Sequence, residues 1–145
     1  NPTGCDLSAD DWRRVVATVA EKGLVPFLDL AYQGFGDGIA EDRAVVDGFV
    51  EAGLDVFVSS SFSKSFSLYG ERVGALSVAT RSAEQAAKVV SQLKRVIRAN
   101  YSSPPTHGAA VVSHVLQTPE LRASWERELG TMRTRIQAMR AALGK

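Results

Sequence analysis

The chain has 145 residues, 45% of them hydrophobic, which is the length of one ordinary domain with enough apolar content to bury a core. Its 17 basic and 16 acidic residues are interspersed and leave a formal net charge of +1, so the electrostatics give no reason to expect nucleic acid or an anionic membrane as partner. Cys5 is the one cysteine, which rules out an internal disulfide, and no apolar stretch approaches the roughly 20 residues of a membrane-spanning helix; a reducing, cytoplasmic setting and a small partner are expected.

The sequence opens on Asn1 with neither a methionine nor a signal-like apolar segment, and it runs on in a helical pattern to Lys145. It therefore reads as a piece of a longer protein.

Ser8, followed three residues later by Asp11, resembles a capping box with aspartate in the usual glutamate place. A helix is predicted over Ala9–Lys22, stopped by Gly23. Leu24–Asp29 is a short apolar run ending in a carboxylate and reads as a strand, although Pro26 would ordinarily push a strand to a sheet edge or to its first residues. Gln33–Gly38 is a glycine-rich loop, and a second helix is predicted over Glu41–Ala52, closed by Gly53.

Leu54–Val58 reads as a buried strand, and a further strand is predicted over Val73–Val78. Helices are predicted over Ser82–Arg98 and Gly108–Leu116, separated by the break Ser102-Ser103-Pro104-Pro105. Thr118 and Pro119 suit the N-cap and first position of a last helix. Its Leu121, Trp125, Leu129, Met132, Ile136, Met139 and Leu143 recur at steps of three and four as one apolar stripe, a structural role.

Strands alternating with helices argue an α/β fold, with about three strands of a larger sheet. A stripe of this length beside so few strands leaves apolar surface that belongs against parts outside this chain, or against a second copy.

The segment Ser59–Arg72, SSSFSKSFSLYGER, is hydroxyl-rich, brackets Lys64 and ends on an arginine. It follows a predicted strand, so Lys64 emerges where α/β sheets place their ligands. A lysine there is a candidate Schiff-base nucleophile. Asn1, Asp29 and Tyr32 also sit at or near the ends of apolar runs. Singly, each has a structural role open to it: Asn1-Pro2-Thr3-Gly4 as a turn, Asp29 as a helix cap or an arginine's partner, Tyr32 in a core, Lys64 in solvent. His107 and His114 have no companions at metal-ligand spacing, so no metal site is expected.

Together these groups form a pattern. NPTG at Asn1–Gly4, DLAY at Asp29–Tyr32, SSSFSKSFSLYGERVG at Ser59–Gly74 and IRANYSSPPTHGA at Ile97–Ala109 resemble class I, fold-type I aminotransferases, which use pyridoxal 5'-phosphate. The resemblance runs over essentially the whole chain and is closest to the aspartate and aromatic-amino-acid branch. It implies a partial three-layer α/β/α large domain. Residues 1–118 would belong to that cofactor-binding domain and residues 119–145 would form a long helix leading toward a small domain outside this chain. It also implies amino-acid and 2-oxo-acid substrates and a homodimeric full-length protein, with no nucleic-acid or membrane partner.

Residue by residue, Lys64 resembles the catalytic lysine that holds the cofactor covalently, is displaced by substrate and then moves the substrate's proton. An amine must be neutral for either task. Asp29 resembles the buried carboxylate that keeps the pyridine nitrogen protonated, which improves the ring as an electron sink. Tyr32 and Asn1 resemble the pair that hydrogen-bonds the cofactor's phenolate oxygen. Ser61, Ser63 and Arg72 resemble its phosphate ligands, a guanidinium fork with flanking hydroxyls suiting a dianion. Arg98 resembles the arginine that reaches the neighbouring subunit's site and binds the distal carboxylate of dicarboxylic substrates; its other reading is a solvated helix end.

Ser103 stands where the aspartate branch commonly carries asparagine and the aromatic branch serine, and the run Ser67–Arg72 also looks like the aromatic branch. The expected function is thus a fragment of a tyrosine or phenylalanine aminotransferase passing the amino group to 2-oxoglutarate by a ping-pong mechanism. Aspartate aminotransferase is the near alternative. A non-catalytic, aminotransferase-like ligand-sensing domain of a regulator is the alternative of a different class. The family's arginine for the substrate α-carboxylate, its other phosphate turn, its ring-stacking aromatic and the tyrosine from the second subunit have no counterpart here, so these residues alone are expected to be inactive.

Overall fold

The computed structural model describes residues 5–143. Its first helix, α1 (Ala9–Lys22), has the predicted bounds because its end groups are satisfied locally. The Ser8 hydroxyl accepts from the Asp11 N–H at 3.2 Å, and the Asp11 carboxylate accepts from the Ser8 N–H and hydroxyl at 3.3 and 2.6 Å. At the other end Gly23 turns left-handed, φ 61°, and the N–H groups of Gly23 and Leu24 close onto the carbonyls of Ala20 and Val19.

Strand β1 (Phe27–Leu30) begins later than Leu24, the expected start. The reason is Pro26, which has no N–H to give to a ladder; it stands at the threshold, its carbonyl accepting from Phe57 N at 3.0 Å. Helix α2 (Ile39–Glu51) starts slightly earlier than expected, with Asp42 N donating to Gly38 O at 3.0 Å. Strand β2 (Val56–Ser61) starts after Leu54, because Gly53, at φ 70°, and Leu54 are used to close α2. It also runs further than Val58, into the serines.

Strand β3 (Gly74–Ala79), α3 (Ala83–Asn100), α4 (His107–Gln117) and α5 (Pro119–Leu143) follow. The sheet order is β1-β2-β3, with β2 in the centre. Central position explains burial: Val56 and Val58 of β2 are among the buried apolar residues, whereas β3 is largely exposed. The α/β class is thus as expected.

The chain divides into two compact units. One takes in the chain up to Asp29, Val45–Ser59 and Leu76–Thr106, with Phe49, Val56 and Val58 buried. The other takes in Leu30–Ala44, Ser60–Ala75 and His107–Lys145, with Val112 and Leu129 buried. The α5 stripe is only partly packed. Leu129 is 1% exposed, while Ile136, Met139 and Leu143 are exposed by 40%, 51% and 88%. Among the described residues no helix is long and apolar enough to cross a membrane.

Candidate functional site

In the second unit, β2 delivers the chain to the lysine turn. Ser63, immediately before Lys64, is buried, and its N–H donates to the Ser61 hydroxyl at 3.2 Å. After the lysine the backbone coils. Phe66 N donates to Phe62 O at 3.2 Å and Ser67 N to Lys64 O at 3.1 Å, with Ser67 left-handed at φ 55°. The Lys64 Nζ lies 4.8 Å from the centre of the Tyr32 ring, a cation–π distance.

Arg72 closes the segment. It is left-handed at φ 52°, and its guanidinium donates to the Tyr69 carbonyl at 2.9 Å. The next residues, Val73 and Gly74, return beside β2: Phe62 N donates to Val73 O at 3.2 Å. A side chain at Gly74 would stand 2.7 Å from the Ser60 carbonyl oxygen, so only glycine allows this approach. Ser61 ends β2, Ser63 and Lys64 lie on the turn after it and Arg72 on the next, so one continuous segment carries all four, and Tyr32 is brought against its lysine.

The glycine loop after Tyr32 is pinned from both sides. The Asp42 carboxylate accepts from the N–H groups of Gly34, Gly36 and Asp37 at 2.7, 3.0 and 2.9 Å, and more distantly from Gly38 at 3.4 Å. From α5, Arg133 donates to Gly34 O at 3.0 Å and Gln137 to Gly36 O at 2.8 Å. Trp125 of α5 reaches the lysine turn itself: its Nε1 donates to Ser65 O at 2.6 Å.

In the first unit, Asp29 of β1 accepts a hydrogen bond from the Ser59 hydroxyl of β2 at 2.8 Å. Where a buried carboxylate was expected, Asp29 is exposed, because β1 carries alternate residues on an uncovered face. Arg98 is likewise exposed, in the last turn of α3, and donates to the Ser102 hydroxyl. Asn1 lies outside the described residues. Among those residues, no cluster of three or more His, Cys, Asp or Glu could hold a metal ion.

Ser59, Asp42, Trp125, Arg133 and Gln137 carry no site role in the sequence. Ser59 was visible as one of three adjacent serines, and Trp125 as part of an apolar stripe. Neither signal announces a hydrogen-bond partner 30 or 60 residues away.

A lysine amine against an aromatic ring, with two serine hydroxyls and a guanidinium on the segment that leaves the central strand, is the arrangement that this α/β chain presents. The chain matches the family described as aminotransferase class I and II over residues 1–145, and it belongs to that family. It is 66% identical over 143 residues to an aspartate aminotransferase of Pseudomonas aeruginosa, covering 99% of this chain and 36% of that protein. It is 54% identical to an aromatic-amino-acid aminotransferase of Escherichia coli, covering 100% of this chain and 36% of the relative.

Among solved structures, the aromatic-amino-acid aminotransferase of Burkholderia pseudomallei, covalently bound to pyridoxal phosphate, superimposes with a TM-score of 0.94 at 65% identity. That match covers 97% of this chain and 35% of the other. The chain thus spans about 36% of the length of the curated relatives it matches.

Proposed function

We propose that this chain is part of the large, cofactor-binding domain of an aromatic-amino-acid aminotransferase, with residues 1–118 in that domain and 119–145 leading toward a small domain. The reaction passes the amino group of tyrosine or phenylalanine to 2-oxoglutarate by ping-pong exchange, in a cytoplasmic homodimer. The observation that carries this reading is the Lys64 turn, with Nζ 4.8 Å over the Tyr32 ring.

The donor set fits pyridoxal phosphate. Ser61 and Ser63 offer hydroxyls, and Arg72 a guanidinium, on the segment that carries Lys64, and this combination suits a dianionic phosphate. When bound, the cofactor supplies an electron sink for the carbon that gives up its proton. The Lys64 amine would be its covalent anchor and the base that takes and returns that proton. Asp29, which accepts a hydrogen bond from Ser59, would hold a proton on the ring nitrogen. The Tyr32 hydroxyl would donate to the ring oxygen, the role that the family resemblance gives it together with Asn1. Arg98 would reach the site of the neighbouring subunit and pair there with the distal carboxylate of a dicarboxylic substrate.

Support for the aromatic branch comes from Ser103 and the Ser67–Arg72 run. The 66% identity to a protein called aspartate aminotransferase favours the second reading, preference for aspartate. The decisive test uses the full-length protein. Pyridoxal phosphate is added, the visible absorption recorded, the sample reduced with borohydride and the labelled peptide mapped. Label on Lys64 is expected; label elsewhere, or none, overturns the assignment. Efficient turnover of phenylalanine and tyrosine is expected, and turnover confined to aspartate and glutamate would reject the aromatic branch.

A further inference from the structure

Lys64 has a long, flexible side chain, and its use depends on where its backbone is held. Misplacing a reacting group by about 1 Å can cost on the order of a hundredfold in rate. On its N-terminal side the turn is fixed by β2 and by the buried Ser63, whose N–H is taken up by the Ser61 hydroxyl at 3.2 Å. On its C-terminal side, Phe66 and Ser67 bond back to Phe62 and Lys64, within the turn itself. Such bonds shape a turn without anchoring it.

Trp125 supplies an anchor from outside the turn. Its indole N–H donates to the Ser65 carbonyl, one residue after the lysine, at 2.6 Å. Its ring stacks on Phe66, with centroids 4.6 Å apart and planes 20° from parallel. Phe66 in turn meets Phe62 edge to face at 5.5 Å, so the stack is continued to the residue that follows β2. A stacked ring alone fixes no direction within its plane, and a single hydrogen bond alone leaves the ring free to swing. Trp125 has both, and both act on consecutive residues directly after Lys64.

We infer that Trp125 is a positioning residue for Lys64, holding the C-terminal side of the lysine turn so that the amine presents in one place. The inference rests on Lys64 being the cofactor's anchor, and its test separates the two. Trp125→Phe keeps an aromatic ring and removes the donor; Phe66→Leu removes the stack and keeps the donor.

In the full-length, cofactor-free protein, each variant is expected to exchange the amide hydrogens of Ser65–Ser67 about tenfold faster than the parent, with the exchange of α1 unchanged. In the loaded protein, the pH midpoint of the visible absorption band is expected to move by about half a unit or more. The kcat is expected to fall about tenfold with KM within about twofold. Unchanged turn exchange and an unchanged midpoint in both variants overturn the inference. If borohydride fails to label Lys64 in the parent, the anchor reading falls, and the exchange of residues 65–67 still decides whether Trp125 holds the turn.

Discussion

Ser59 donates its hydroxyl to Oδ1 of Asp29 across 2.8 Å, tying the carboxylate of β1 to its neighbour β2. Under the proposed role of Asp29 toward a ring nitrogen, a donor on one carboxylate oxygen favours a single orientation of the group.

Ser59→Ala is expected to weaken retention of pyridoxal phosphate by the full-length protein by up to about tenfold, the worth of one hydrogen bond of about 0.5–1.5 kcal/mol. Titration of the visible absorption band gives the dissociation constant. A constant equal to the parent's would show that Asp29 needs no such support.

Asp42 holds the glycine loop by accepting from the backbone N–H groups of Gly34, Gly36 and Asp37. Removing the acceptor leaves these donors to find water in a half-buried loop. Asp42→Ala is expected to destabilise the full-length protein by about 2–3 kcal/mol, in the range for hydrogen bonds to a charged group. Urea unfolding measures it. Asp42→Asn, which keeps one accepting oxygen, should fall between variant and parent; an Asn variant as unstable as Ala would mean that the charge, rather than the acceptor, matters.

The Asp55 carboxyl is held below its ordinary value of 3.8, chiefly by the Gln85 side-chain hydrogen bond; desolvation opposes this, and the hydrogen bonds and charge of Arg81 lower it further. Gln85 Nε2 donates to it at 2.6 Å, and the Arg81 N–H and guanidinium at 3.2 and 3.4 Å. A carboxyl depressed in the folded state stabilises that state above its unfolded value and loses the contribution as pH falls through the folded one. The parent should therefore exceed Asp55→Asn in stability at about pH 7, with the gap closing below about pH 4. Unfolding curves at several pH values check this, and a gap that stays constant down to about pH 3 would contradict it.

Local chemistry was legible before any coordinates. Ser8 with Asp11, Gly23 and Pro119 marked helix ends correctly because each end group is satisfied by residues a few positions away. The Lys64 turn was legible for the same reason: strand, serines, lysine and arginine are contiguous. Strand limits were less so. Pro26 delayed β1, and the closure of α2 through Gly53 and Leu54 delayed β2, both settled by which backbone groups were left for the ladder.

What the sequence by itself determined was the α/β order and the chemical equipment of the lysine turn, since both are written in adjacent residues. Only tertiary structure decided which side chains hold that equipment in place. Ser59 with Asp29, Trp125 with Ser65 and Gln137 with Gly36 join residues 30, 60 and 101 positions apart. Side-chain hydrogen bonds of that span depend on strand register and helix placement, and neither composition nor periodicity records them.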